Sequence, residues 1–256
     1  MLPKSNYNSI ISEFEPIQLN EINQLKLLKR VDNKFVMPIN KLEELLKIIK
    51  NDYKILEING ERDFAYHTAY FDTPKFDFYL NHQNQRLNRH KIRMRTYMVS
   101  NVTFLEIKRK NNKGKTIKTR KQIDKISNLN TEYYNYLEST VLLNRRDLEN
   151  SSDNSFRRIT LVSFKTNERI TLDYNLVFWH NKKTKEMPFI SIVEVKKDKA
   201  VGKSPVTQAL KKLKVHSRGF SKYCMGLTYL YPDLKQNNFK PNKLYLKKIE
   251  HATINN

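Results

Sequence analysis

The amino-acid sequence predicts an α+β fold in which antiparallel β-strands form a meander flanked by helices. The middle of the chain consists of short segments that alternate apolar and polar residues and are rich in β-branched and aromatic residues. Helical periodicity occurs mainly towards the two ends of the chain. No solenoid-length repeat and no long low-complexity linker divides the 256 residues, so a single domain over residues 1–256 is expected.

The first elements are two helices with a strand between them. The helices are predicted at residues 19–29 and 40–50. Asn40 is expected to cap the second helix, with Glu43 at the reciprocal position of a capping box. The intervening segment RVDNKFVMP, residues 30–38, alternates and ends in proline, which is typical of a short strand.

From Tyr53 onward the apolar residues change to period two. Strands are predicted at FAYHTAYFDT, KIRMRTYMV, VTFLEIKRK, TIKTRKQI, FRRITLVSF, ERITLDYNLVFW and FISIVEVKK. A helix follows, with Ser204 as its cap and Pro205 at its first position. Another helix is predicted around residues 221–230, and the segment after Pro232 is expected to be a solvated basic flank.

The chain carries a large excess of positive charge. Lysine and arginine total 48 against 26 aspartates and glutamates, a formal net charge of +22. So large a positive charge favours binding of an anionic partner. Nucleic acid, an anionic membrane or a phosphate-rich substrate would each have the required negative charge. A single cysteine, Cys224, excludes an intramolecular disulfide and suits a reducing compartment. No apolar run approaches the roughly 18 residues of a membrane span, so a cytoplasmic protein is expected.

The charged residues of the predicted strands sort onto one face. Residues two apart share a face of a strand, and this groups Arg93 with Arg95, Glu106 with Lys108 and Lys110, Lys118 with Arg120, and Glu194 with Lys196. For any one strand, the simplest interpretation is that its charged residues lie on the solvent-exposed face of a sheet. Like charges on several neighbouring strands destabilise a sheet unless an anion neutralises them, so the set together indicates a phosphate-binding surface.

An acidic residue stands two positions before a lysine in three places. The pairs are Asp32 with Lys34, Glu106 with Lys108, and Glu194 with Lys196. A carboxylate beside a lysine suits a metal–phosphate complex, because the carboxylate binds Mg²⁺ or Mn²⁺ while the cation neutralises phosphate oxygens. The same spacing also serves ordinary cross-strand ion pairs, so each occurrence alone is a weak signal.

Seven segments resemble the VTC domain, the polyphosphate polymerase module of the vacuolar transporter chaperone complex, within the triphosphate tunnel metalloenzyme superfamily. The resemblance covers about residues 19–231. The matching segments are RVDNKFVMP, YFDTPKFDFYLNHQNQRLNRHKIRMRTY, FLEIKRK, TIKTRKQI, ERITLDYNLVFW, SIVEVKKDK and GFSKYCMGL, in the order that the family has. The long second segment is the most specific.

The resemblance implies a closed antiparallel β-barrel of about eight strands, the triphosphate tunnel, with flanking helices. It implies transfer of the γ-phosphoryl group of ATP to a growing polyphosphate with a divalent metal, Mn²⁺ or Mg²⁺. The catalytic residues would be Arg93, Arg95, Lys108 and Glu194. The phosphate-binding residues would be Lys34, Arg93, Arg95, Lys108, Lys118, Arg120, Arg158, Arg169, Lys196, Ser221 and Lys222. The metal ligands would be Glu194, Glu106 and Asp173.

Two alternative functions stay open. The resemblance implies that tunnel triphosphatases carry the pattern E-x-E-x-K at the place where this chain has Arg30 and Asp32. Position 30 therefore lacks the first carboxylate of that pattern, which disfavours two-metal activation of water. A non-catalytic polyphosphate sensor would need the cations alone. Nucleic acid is not expected, because no recognition-helix, zinc-finger or RNP signature occurs. By analogy with eukaryotic relatives, a separate membrane protein would be the partner that exports the product and holds the chain at the membrane.

Overall fold

A computed structural model describes residues 7–22, 30–123, 135–137, 148–198 and 204–254 of the chain. The strands are β1 (Pro16–Ile17), β2 (Arg30–Pro38), β3 (Lys54–Leu56), β4 (Asp63–Asp72), β5 (Arg89–Tyr97), β6 (Val102–Lys110), β7 (Thr116–Ile123), β8 (Glu149–Ser163), β9 (Glu168–His180) and β10 (Lys183–Asp198). The helices are α1 (Asn8–Ser12), α2 (Leu19–Ile22), α3 (Lys41–Ile49), α4 (Asp77–Gln83), α5 (Pro205–Lys212), α6 (Lys222–Leu230) and α7 (Lys240–Ile254), with 3₁₀ turns at Lys50–Asp52 and Asn237–Phe239.

The ten strands form one sheet in the order β2-β10-β9-β8-β4-β5-β6-β7, with β3 beside β8 and β1 beside β3. All pairs are antiparallel except β1 with β3. The α+β class and the antiparallel sheet with flanking helices are therefore confirmed. Within the described ranges, β2 and β7 end the main strand order and do not hydrogen-bond to each other, so the closed barrel of about eight strands is not found in the backbone pairing.

The sheet is curved. Lys108 on β6 is close enough to Lys34 and Glu194, on β2 and β10 at the opposite end of the strand order, for their charges to act on it. The convex face carries α3 and α5, which bury Leu45, Leu46 and Leu210 completely against strand residues such as Val193. Alternation along each strand therefore leaves the other side chains facing a concave interior.

Two helices cover part of this concave face. Met225 of α6 and Leu246 of α7 pack with Leu176 and Phe178 of β9 in one buried cluster. The contact of α6 is close: a Cβ added at Gly226 would lie 2.7 Å from the Phe178 ring. The absence of a side chain at this position lets α6 lie directly on the sheet.

Several local expectations are confirmed and others are wrong. Ser204 accepts a hydrogen bond from the Thr207 amide at 3.3 Å, as its capping role predicts. Asn40 does not cap α3, because it adopts helical angles and its side chain makes no capping hydrogen bond. Of the helix predicted at residues 19–29, the part at 23–29 lies outside the described residues.

The predicted solvated flank after Pro232 is also wrong, because it contains the 15-residue helix α7. Leu246 and Ile249 give α7 a narrow apolar stripe that is buried, at 1% and 5% exposure. Four short elements were not predicted, namely α1, β1, β3 and α4. None of the described helices is long and apolar enough to cross a membrane.

Candidate functional site

The concave face carries a band of charged side chains that crosses the sheet. In the register, Glu194 lies opposite Lys34, Lys196 opposite Arg169, Arg158 opposite Asp173, Arg93 opposite Glu106, Glu106 opposite Arg120, and Lys108 opposite both Lys91 and Lys118. Paired residues in neighbouring strands share a face, so the structure brings the strand residues predicted for the site onto one surface. We call this surface the basic band.

A coil that we call the bridge segment, residues 217–222, runs from β2 to the basic band. Ser217 pairs with Phe35, and the Arg218 amide donates to the Lys34 carbonyl at 2.7 Å. The Lys34 Nζ in turn donates to the Phe220 carbonyl at 3.2 Å. At its other end Ser221 caps α6 by accepting from the Cys224 amide at 3.2 Å. The bridge segment therefore covers the edge of β2 and delivers the N-terminus of α6 to the site.

Ser221 also meets β5. The Lys91 Nζ donates to the Ser221 Oγ at 2.8 Å, so the bridge segment contacts both β2, at one end of the strand order, and β5, in the other half of that order. Lys91 was not among the residues predicted for the site. The signal was present, because Lys91 stands two residues before Arg93 and so shares its face.

Asp173 is held by two cations. Its Oδ1 accepts from the Arg158 Nε at 2.5 Å, its Oδ2 accepts from the Arg158 Nη2 at 2.8 Å, and Lys222 binds the same Oδ2. Burial alone would raise the pKa of Asp173, but Arg158 and Lys222 outweigh burial and hold that pKa well below its ordinary value. Burial lowers the pKa of Lys222 to about 7 in spite of Asp173.

Two stacked aromatic rings lie beneath the cations at this point. The rings of Tyr66 and Phe156 are 5.3 Å apart and nearly parallel. The Lys222 Nζ lies 4.1 Å from the centre of the Phe156 ring, and the guanidinium carbons of Arg158 and Arg95 lie 5.2 and 5.8 Å from both ring centres. The negative faces of the rings stabilise neighbouring cations that would otherwise repel one another.

Arg93 and Arg95 of β5 have different partners. Arg93 donates to Glu106 at 2.6 Å, and although burial favours a raised pKa for Glu106, the cations Arg93 and Arg95 hold it below its ordinary value. Arg95 is only 7% exposed, and its hydrogen bond among the described residues goes to the neutral Thr68 hydroxyl at 3.3 Å. Burial and the nearby Arg93 lower the pKa of Arg95. This guanidinium has the capacity to bind an anion.

Of the three carboxylates predicted as metal ligands, Glu194 is the least engaged by hydrogen bonds. The Lys196 Nζ lies 3.7 Å from its Oε1, beyond hydrogen-bonding distance. Burial would raise the pKa of Glu194, but Lys196, Lys34 and Arg158 together lower it to about 2, so the group is ionised at neutral pH. Burial, offset in part by Glu194, leaves the pKa of Lys196 at about 8.

The carboxylates fit a metal that is held largely by substrate. The described ranges contain no group of three histidine, cysteine, aspartate or glutamate side chains able to hold an ion by themselves. Asp173 and Glu106 are paired with cations, which leaves Glu194 as the available oxygen donor. Mg²⁺ commonly takes one or two carboxylates and completes its coordination with water and substrate phosphates, and this donor set suits that mode.

The sequence was compared with known proteins. The family model of the VTC domain matches residues 29–231. A search of curated proteins finds no match. Similar solved structures include a proposed adenylate cyclase from Bacillus halodurans, 13% identical with a TM-score of 0.48, where the match covers 77% of this chain and 96% of the other. Another is a proposed adenylyl cyclase from Hippeastrum with a described dominant triphosphatase activity, 13% identical with a TM-score of 0.46, covering 81% and 100%.

Proposed function

Because the chain belongs to the VTC domain family, we propose that it is a polyphosphate polymerase, which transfers the γ-phosphoryl group of ATP to the end of an inorganic polyphosphate. The observation that supports this proposal is the basic band, in which cations from seven strands and α6 face one concave surface. A linear polyanion such as a triphosphate or polyphosphate matches that surface in charge.

The titration of the lysines supports a phosphate ligand. Burial, with repulsion from Lys118, Lys91 and Lys34, lowers the pKa of Lys108 to about 8. Lys196 and Lys222 are lowered to about 8 and about 7, with burial as the main cause. A bound phosphate chain would supply the missing negative charge, raise these pKa values and keep each lysine protonated.

In the proposed reaction an oxygen of the terminal phosphate of the polyphosphate attacks the γ-phosphorus of ATP. A new P–O bond forms, the bond between the γ-phosphorus and the β,γ-bridging oxygen breaks, and ADP leaves with that electron pair. The attacking oxygen is already ionised, so no general base is required. Arg93, Arg95, Lys108 and Arg158 would neutralise the phosphoryl oxygens, and Lys34, Lys196 and Lys222 the flanking phosphates.

Lys118, Arg120 and Arg169 lie further along the basic band, where they would bind the rest of the phosphate chain. Ser221 would donate a hydrogen bond to a phosphate oxygen next to Lys222. Glu194 would hold a divalent ion, with Glu106 and Asp173 available only if their cations move. Bound there, Mn²⁺ or Mg²⁺ would supply charge neutralisation between neighbouring phosphates.

The experiment is turnover of ATP with Mn²⁺ or Mg²⁺ by the whole chain, scored for acid-labile polymer, ADP and free phosphate. We expect polymer and ADP from the wild type. Arg93→Ala combined with Arg95→Ala, and separately Glu194→Ala, should each lower the polymer yield at least about a hundredfold, because charge stabilisation in the transition state is lost. Lys212→Ala, an exposed cation of α5, should leave the yield unchanged.

Other products would identify the alternatives. Free phosphate without polymer would contradict the polymerase and support a tunnel triphosphatase with water as acceptor. Tight binding of polyphosphate with no turnover under either metal would support a sensor. Equal polymer yield from the wild type and the site variants would contradict the assignment of these residues.

A further inference from the structure

Helix α7 lies outside residues 29–231, which the family match covers, yet it contacts the bridge segment. We propose that α7 is a working part of the phosphate site, in which Asn242 and Tyr245 are positioning residues that hold the bridge segment, and with it Ser221 and Lys222, against the basic band. The inference rests on the proposed function only in requiring that this surface binds phosphate.

The side chain of Asn242 uses both ends of its amide on the bridge segment. Its Nδ2 donates to the Gly219 carbonyl at 2.8 Å, and its Oδ1 accepts from the Arg218 Nη1 at 3.1 Å. Tyr245 acts one turn further along α7. Its ring centre lies 4.1 Å from the Arg218 guanidinium carbon, and its hydroxyl donates to the Val36 carbonyl of β2 at 2.9 Å.

The bridge segment needs such support because it has little regular structure of its own. It pairs with β2 at Ser217, and residues 218–221 are then coil until α6 begins at Lys222. Gly219 adds backbone freedom in the middle of this coil. The conformation that places Lys222 beside Asp173 is therefore set by contacts from outside the segment.

Helix α7 is itself fixed to the sheet, so it can serve as a support. Leu246 and Ile249 are buried among residues of β9 and β10, and the Lys185 Nζ of β10 binds the Glu250 carboxylate at 2.7 Å. A continuous set of contacts thus runs from the sheet through α7 to the bridge segment. A loss of the Asn242 contacts should move Ser221 and Lys222 while the strand residues of the basic band stay in place.

The test is binding of inorganic tripolyphosphate to the whole chain by calorimetry, with Asn242→Ala compared with the wild type. We expect about tenfold weaker binding, because a charge-assisted contact to phosphate is misplaced. A double-variant comparison tests whether Asn242 acts through Lys222. Lys222→Ala should weaken binding in the wild type, but it should have little further effect in Asn242→Ala, where Lys222 is already misplaced.

Tyr245→Leu, which removes the ring from Arg218, should reproduce the effect of Asn242→Ala, whereas Tyr245→Phe keeps the ring and should retain most of the affinity. Leu244→Ala, at a side chain 69% exposed on the same helix, is the matched control and should bind like the wild type.

Thermal unfolding of each variant establishes that it is folded. Wild-type affinity in both Asn242→Ala and Tyr245→Leu would overturn the inference. Effects of Asn242→Ala and Lys222→Ala on the binding free energy that simply add would overturn it as well, since additivity shows that Asn242 does not act through Lys222. Binding by the wild type without polymer synthesis would contradict the polymerase alone, and no binding by the wild type would contradict both proposals.

Discussion

At the scale of single residues, Asp173 organises the charges of the site. It is 2% exposed and engages Arg158 through both carboxylate oxygens while Lys222 binds one of them. As a metal ligand, the role predicted from the sequence, it would have to give up one of these cations. As a counter-ion it keeps both cations charged and oriented in a site that otherwise repels them.

The change Asp173→Asn separates these roles. Removing the charge leaves Arg158 and Lys222 buried without their anion, so the free energy of unfolding should fall by about 3 kcal/mol. Tripolyphosphate should then raise the unfolding temperature of the variant more than that of the wild type, because the ligand replaces the lost charge. The measurement is thermal unfolding with and without tripolyphosphate.

The matched control is Asp153→Asn, because Asp153 pairs with the partly exposed His67 rather than with the basic band. It should be destabilised much less and gain nothing extra from tripolyphosphate. An Asp173→Asn variant with wild-type stability whose phosphate binding no longer responds to Mn²⁺ would instead support a metal ligand.

At the scale of elements, two helices, α5 and α6, both begin with a serine N-cap but have different roles. Ser204 caps α5 on the convex face, and Ser221 caps α6 at the site. Ser221 additionally accepts from Lys91, whereas no strand lysine in the described part of the chain hydrogen-bonds to Ser204. The pair therefore distinguishes the stability of a helix from its contribution to ligand binding.

Ser204→Ala and Ser221→Ala should each cost about 1 kcal/mol of stability, the usual effect of losing an N-cap. Only Ser221→Ala should weaken the binding of tripolyphosphate, because Lys91 loses its acceptor and the phosphate loses a hydroxyl donor. Urea unfolding and calorimetry measure the two effects. Equal binding by both variants would indicate that the role of Ser221 is limited to the helix cap.

The elements predicted correctly from the sequence are those long enough to show a hydrophobic periodicity. The long strands β8, β9 and β10 alternate over many residues and were predicted as strands, whereas β1 and β3 span 2 and 3 residues. Helix α4 is held by a residue outside it, since the carboxylate of Asp72 at the end of β4 accepts from the Phe78 and Tyr79 amides. The face of each strand residue followed from alternation, but the contacts of the bridge segment and α7 depend on tertiary packing that no local pattern encodes.

At the scale of the whole molecule, part of the net charge of +22 lies on two lysines of the site that are largely shielded from solvent, Lys196 and Lys222, with side chains 15% and 12% exposed. Their pKa values lie at about 8 and about 7, below the ordinary value of 10.5, with burial as the main cause. At a pH between the lowered pKa values of these lysines and 10.5, the unfolded chain binds more protons than the folded protein. Linkage then requires that stability rises with pH in this window.

The ligand-free protein should therefore be more stable at pH 9 than at pH 6.5, by at most about 1.4 kcal/mol per pH unit for each lysine. Tripolyphosphate should stabilise the protein more at pH 6.5, where the lysines are charged, than at pH 9. Thermal unfolding across this range, at constant ionic strength, measures both effects. Stability that falls from pH 6.5 to pH 9 without ligand would show that these lysines are not held in the way described.

The sheet order, with β2 and β7 at its ends, has a further consequence for the size of the binding site. In a closed barrel the number of strands and their stagger fix the diameter. Here the edge of β2 is covered by the bridge segment, and Lys108 of β6 is repelled across the interior by Lys34 of β2. Because the described parts of β2 and β7 are not joined by backbone hydrogen bonds, we expect a polyanion that neutralises this repulsion to draw the two walls closer together.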